Sequence, residues 1–147
     1  MKRAAIVLLA IGLSSASALA EDNVPEANIA GQWQFVARVG SDCTFTGQAT
    51  LTPKADGRNF SCELTARETC PAFDVHYLVR QSCTATRLGQ QISVRSTIEE
   101  FLEGEPSETY FPDNFSLFIQ DSTRMNGALI SHGAHQAVWT RPDDGIS

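Results

Sequence analysis

Gly31–Thr52, GQWQFVARVGSDCTFTGQATLT, reads as two strictly alternating strands joined by a tight polar turn. Trp33, Phe35, Ala37 and Val39, then Cys43, Phe45, Ala49 and Leu51, fall on one face. Gln34, Val36, Arg38, Thr44, Thr46, Thr50 and Thr52 fall on the other. A period of two belongs to a strand with one side buried and the other in water. Gly40-Ser41-Asp42 supplies the turn chemistry that makes the pair a hairpin.

The same alternation continues downstream. Pro53 to Arg58 is dense in turn formers and ends the second strand. Asn59–Thr65 places Phe60, Cys62 and Leu64 on one face, and Val75–Ala85 does so with Val75, Tyr77, Val79 and Cys83, Gln81 being the polar exception. After the turn Arg87–Gln90, a fifth strand alternates Ile92, Val94 and Ile98 with polar residues. Residues 99–109, EEFLEGEPSET, break the pattern and read as a loop carrying Glu99, Glu100, Glu103, Glu105 and Glu108. Asn114–Gln120, then Met125, Gly127 and Leu129, then Ala137–Arg141 complete the count, with Ser131–His135 as the last turn.

Eight short strands in sequential hairpins predict an all-β fold, an eight-stranded antiparallel up-and-down barrel, which buries one face of every strand and removes exposed edges. Outward positions are Thr, Gln, Ser and Arg, whereas a barrel spanning a membrane needs an apolar outer band. The domain is expected over residues 31–142, preceded by a flexible arm at 21–30 and followed by a polar tail at 143–147.

Met1–Ala20 has a basic start (Lys2, Arg3), an apolar run and a small-x-small ending (Ala18-Leu19-Ala20), the layout of a cleavable secretory signal. The expected location is the periplasm or outside the cell. The formal net charge of −6 becomes more negative when Lys2 and Arg3 are removed, which disfavours nucleic acid as a partner. Four cysteines behind a signal read as two disulfides. Spacing alone permits three pairings, and strand register chooses among them. Pairing strands two and three about Asp56 sets Cys43 near Cys70, and pairing strands three and four sets Cys62 opposite Cys83. The barrel is therefore expected to be stapled by Cys43–Cys70 and Cys62–Cys83.

Gly31-Gln32-Trp33 at the start of the first strand, with Arg141 two residues after Trp139 in the last, resembles the lipocalin and wider calycin pattern. The resemblance implies that Trp33 packs across a closed barrel end with Arg141 lying over it. Ala30-Gly31-Gln32-Trp33 is also similar to the opening of small bacterial periplasmic metalloprotease inhibitors, compact eight-stranded barrels. That likeness implies an arm, here Glu21–Ile29, entering a protease cleft.

The inward face, with Phe35, Phe45, Phe60, Tyr77, Val79, Ile92, Val94, Phe115, Leu117 and Met125, shows no charge; it either fills a small barrel or lines a site for an apolar ligand. The glutamate-rich stretch would serve as a docking loop for a basic partner. His132 and His135 lack a third ligand, and in a strand-turn-strand setting their spacing does not place both on one face, so no metal is expected. No G-x-S-x-G, H-E-x-x-H, free Cys-His pair or P-loop is present in the chain. The expectation is a non-enzymatic protein without cofactor that binds a small apolar ligand inside or a protein partner, such as a protease, at its rim. Inhibition of a protease through the arm and a structural envelope role are the alternatives.

Overall fold

Alternating strands can pair only in registers that keep every apolar side chain on one face, since a slip of one residue turns the whole set outward. The computed structural model, which describes residues 26–142, obeys this around a closed ring. The expected signal segment at 1–20, the start of the arm at 21–25 and the tail at 143–147 lie outside the described residues. The strands are β1 (Gly31–Ala37), β2 (Thr44–Pro53), β3 (Asn59–Cys70), β4 (Val75–Leu88), β5 (Gln91–Glu103), β6 (Asn114–Asp121), β7 (Arg124–Ile130) and β8 (Ala134–Thr140). Each pairs antiparallel with its successor, and β8 returns to β1 from Gln34↔Thr140 to Ala37↔Ala137. No helix among the described residues is long and apolar enough to cross a membrane.

Both expected disulfides are present. Leu51 faces Cys62 across β2 and β3, and Cys62 faces Cys83 across β3 and β4. Cys62–Cys83 therefore lies inside the wall, while Cys43–Cys70 ties the β1–β2 connection to the end of β3. By closing loops in the unfolded chain, each contributes about 2–4 kcal/mol.

Four features differ from the expectation drawn from the sequence. The first turn is wider: β1 stops at Ala37, where the Arg38 N–H donates to the Gln136 carbonyl of β8 (3.0 Å) instead of continuing the ladder with β2. Second, residues 99–103 are strand and not loop. β4 and β5 stay paired through Arg80↔Glu100, Val79↔Phe101 and Leu78↔Glu103. Register shifts at Leu78/Val79 and Arg80/Gln81 break the strict alternation, as bulges do, which hides the strand from a period-two reading. Third, β8 begins at Ala134, so His135 belongs to a strand rather than to the last turn.

The fourth difference is the end of the N-terminal arm, which is fixed. Ile29 is buried in the core and Ala27 packs against it. The Trp33 indole N–H donates to the Ile29 carbonyl (2.9 Å). Arg141 donates to the carbonyls of Asn28 (2.9 Å) and Ala30 (2.8 Å), with its guanidinium carbon 4.0 Å from the centre of the Trp33 ring. The buried Arg87 donates to the Ala27 carbonyl (2.6 Å). Two cations thus clamp the arm's backbone across one end of the barrel.

The interior is filled. Phe35 lies 5.9 Å from Phe45, 5.1 Å from Phe115 and 5.4 Å from Trp139, ring centre to ring centre. Rings of this size fit because glycines sit opposite bulky residues on the inner face. A Cβ on Gly47 would overlap the Phe35 ring and the Thr65 carbonyl oxygen, and one on Gly127 would overlap the Ser116 carbonyl oxygen. Side-chain-free inner positions of this kind let a small barrel curve tightly.

Gly47→Ala is expected to lower stability by about 1–3 kcal/mol through overpacking, seen as a reduced denaturant midpoint. Gly57→Ala, at φ +70 with open space around it, should cost about 1 kcal/mol from backbone strain alone. Equal midpoints for Gly47→Ala and the parent protein would contradict the close approach. Ile29→Ala should cost about 2–5 kcal/mol although it lies outside every strand; a change under ~0.5 kcal/mol would show the arm to be detached.

Candidate functional site

The clamped arm occupies one end of the barrel, so access to the interior lies at the other. There the β1–β2 connection, the 3-10 turn at Pro71–Phe73 between β3 and β4, the long loop from Gly104 to Asp113 and the β7–β8 turn meet. Two adjoining hollows open among them. One, of about 200 Å³, is lined by Val39, Phe45, Glu68, Asp113, Leu129, Ser131, His132 and His135. The other, of about 210 Å³, shares Glu68, Ser131 and His132 and adds Val75, Tyr77, Thr109, Tyr110 and Phe111. A larger depression of about 530 Å³ lies on the outer wall of β1–β4, where Arg67 is the one titratable lining residue. Titratable groups line both rim hollows and also a hollow of about 400 Å³ at the other end, which carries Glu26, Asp56, Arg58 and Arg87; the rim pair is distinct in having carboxylates with no lysine or arginine beside them.

Strand alternation explains how these groups reach the mouth. Phe45 faces Glu68 across β2 and β3, so the glutamate points inward beside the phenylalanine. Leu129 faces His135 across β7 and β8, with the same result. Gly133, at φ +140, turns the chain between the histidines and brings His132 over the rim. Its Nε2–H donates to the Thr109 carbonyl (2.5 Å) and its ring lies 4.2 Å from that of Phe111. Both histidines therefore line one hollow, contrary to the expectation from their spacing. Among the described residues no three His, Cys, Asp or Glu side chains converge in a manner that holds a metal.

The inward face also carries charge, which corrects the reading of an uncharged interior. Arg87 is buried at the closed end and Asp113 at the open one, and Glu68 is half-buried. Gln81, the polar exception in β4, is fully buried and needs partners. It finds them in Asp113: the Gln81 amide donates to Asp113 Oδ2 (2.6 Å) and the Asp113 N–H donates back to Gln81 Oε1 (2.9 Å). Tyr110 donates its hydroxyl to the same Oδ2 (2.7 Å). Ser96 Oγ donates to the Asp113 carbonyl (2.6 Å), joining β5 and β6 beyond Val94↔Phe115, where their direct pairing ends.

Burial pushes the Asp113 carboxyl up to about 6, against the opposing pull of the Tyr110 and Gln81 hydrogen bonds, and the nearby Glu68 adds to the rise. Burial raises the Glu68 carboxyl as well, with His132 and His135 partly offsetting it. The Tyr110 hydroxyl is held protonated, first by burial and then by the Asp113 carboxylate. Asp113 was not visible in the sequence as a site residue. The signal in the sequence that could have led to it is Gln81, an inward amide that must be answered from another strand or loop.

The remaining expected residues fall into three groups. Phe35, Phe45, Phe60, Val94, Phe115, Leu117 and Met125 are buried in the core. Tyr77 belongs instead to a second aromatic cluster under the long loop, 6.0 Å from Phe101 and 5.3 Å from Tyr110. Of the five glutamates expected on one loop, three lie on β5 and are engaged across the outer wall. Glu103 pairs with Arg67 (2.9 Å) and His76 (2.8 Å), Glu100 with Arg80 (3.4 Å), and Glu99 accepts from Ser82 Oγ (2.6 Å). Glu105 and Glu108 remain in the loop. Arg67 is the main cause that holds the Glu103 carboxyl below its ordinary range.

No protein-family model matches the chain. No curated protein matches it. A solved structure described as a redesigned beta barrel does match, with a TM-score of 0.54 and 16% identity, covering 78% of this chain and 92% of that one. At that identity the likeness is one of fold. It carries the antiparallel barrel and leaves the lipocalin, calycin and inhibitor likenesses as resemblances.

Because the folded-state value of Asp113 lies above its ordinary 3.8, its protonated form favours the fold. That stability is complete below about pH 4 and is lost as pH rises through about 6, amounting to roughly 3 kcal/mol by pH 7. Asp113→Asn is therefore expected to gain stability relative to the parent as pH rises from about 4 to 7, followed by urea midpoints across that range. Parallel pH profiles for the two proteins would show that the buried carboxyl does not titrate in this window.

Proposed function

We propose that this protein is a secreted, non-enzymatic binding protein that engages a protein partner through the open rim of its barrel. The observation that carries the reading is the contrast between a filled interior and two exposed aromatics at the rim. Phe73, 71% exposed, ends the 3-10 turn, and Phe111, 47% exposed, lies near the end of the long loop. Large exposed aromatics near one end are typical of interface anchors rather than of a solvated surface. Cys43–Cys70 braces the chain on which Phe73 sits, so less ordering entropy is lost on binding. Two disulfides also accord with an oxidising compartment, outside the cell or in the periplasm.

A second reading, a small apolar ligand inside the barrel, is supported by one observation. The Trp139 indole N–H is buried without a hydrogen-bond partner among the described residues, in the middle of the aromatic core. An apolar molecule with one acceptor atom would satisfy it, at the expense of displacing packed rings. Inhibition through the arm is less favoured by the geometry, since the backbone from Ala27 to Ala30 is clamped at the end opposite the rim.

Native mass spectrometry of the protein isolated from its own envelope or culture fluid separates these readings. A protein-sized additional mass, lost in the double variant Phe73→Ser/Phe111→Ser while the fold persists, is the expected result. A small-molecule mass that survives the double variant and is released on denaturation would favour the interior ligand instead. A bare protein under all conditions would favour a structural role.

A further inference from the structure

The rim hollows contain carboxylates that no lysine or arginine among the described residues faces. Glu68 is half-buried, and among the described residues the one side-chain group within hydrogen-bond range of its carboxylate is the Cys70 sulfur at 3.9 Å, which in a disulfide has no proton to give; His132 and His135 share its hollow. Asp113 is 2% exposed, and both of its side-chain hydrogen bonds fall on Oδ2. Oδ1 accepts none from the described residues and belongs to a side chain that lines the first hollow. Neither hollow is lined by a lysine or arginine. This is unlike the outer wall, where Glu100 and Glu103 each have an arginine. A buried carboxylate with an open acceptor and no counter-cation is costly unless a partner supplies the charge.

We propose that the rim cleft receives an arginine side chain of the protein partner, its guanidinium held by the Glu68 carboxylate and Asp113 Oδ1. This rests on the reading that the rim is the partner-facing end. The adjoining hollow favours arginine over lysine: Tyr77, Tyr110 and Phe111 present ring surface suited to a planar cation and to the methylenes behind it. A guanidinium also offers separate N–H donors to two carboxylates at once, which a point ammonium does so less well. The acidic chain, at net −6, attracts a basic segment over longer range.

The charged and titratable groups facing the cleft are Glu68 from β3, Tyr77 from β4, Tyr110 and Asp113 from the long loop, His132 from the turn and His135 from β8. Protonation of the Asp113 carboxyl, which titrates at about 6, removes one of the two charges that hold a bound cation. Affinity must therefore rise as pH passes upward through about 6.

The test is a titration of the isotope-labelled protein with Nα-acetyl-argininamide, followed by NMR, beside the uncharged citrulline analogue of the same shape. Saturable shifts at the Gln81 side-chain amide and at Tyr110 are expected for the arginine probe alone, weakened at least about tenfold by Glu68→Gln and by lowering the pH to about 5. No saturable shift, equal binding of the citrulline probe, or equal affinity at both pH values would overturn the proposal. The last two comparisons need no variant, so they stand even if Glu68→Gln fails to fold. If argininamide is silent while Phe73→Ser/Phe111→Ser still abolishes partner retention, the arginine cleft is wrong and the rim reading survives. If argininamide binds as expected and the double variant retains its partner, the cleft stands and the aromatic anchors do not.

Discussion

Closure of the sheet, through the four residue pairs that join β1 to β8, is the constraint from which the other features follow. A closed eight-stranded ring has one inner surface, and the side chains available to fill it are set by register. Here they include Trp33, Trp139, Phe35, Phe45 and Phe115, all fully buried. The wall admits them because Gly47 and Gly127 carry no side chain where one would overlap the Phe35 ring or the neighbouring backbone. Stability and the lack of an open calyx thus have a single origin.

The two ends are built from opposite chemistry. At the closed end, Arg141 and Arg87 reach backbone carbonyls of the incoming chain, Arg141 lies over the Trp33 ring, and Ile29 acts as an apolar plug. At the open end the excess charge is negative, carried by Glu68 and Asp113 and adjusted by two histidines. Gln81 holds Asp113 in place through paired hydrogen bonds, and such reciprocal pairing fixes a loop more firmly than a single contact. The long loop is consequently anchored at Asp113, while Phe111, two residues before it, stays exposed.

The outer wall of β3–β5 shows how a segment rich in glutamate can still be strand. β5 pairs with β6 only from Gln91 to Val94, so its second half has a partner on one side alone. Charged side chains along such an edge discourage pairing with another molecule. Glu99, Glu100 and Glu103 supply them, and Arg80, Arg67 and His76 balance two of the three within the sheet. These exposed pairs each contribute little to stability, so guarding of the edge is their more telling effect.

Local alternation by itself determined the eight strands' sequential order, the apolar part of the inward set and, through register, both disulfides: a period of two assigns each side chain to a face, and sequential hairpins leave few pairings open. Arg141 over Trp33 was accessible through a resemblance in short motifs. Tertiary structure alone decided the rest, because it depends on distances between residues far apart in the chain. Bulges in β4 and β5 extended a strand through a run of glutamates that, locally, reads as loop. Carbonyl contacts from Arg87 and Arg141 fixed an arm whose composition is that of a free terminus. The cleft arose where an inward Gln81 met Asp113, Glu68 and two histidines from four other segments. No periodicity encodes that meeting, since it is set by closure of the ring.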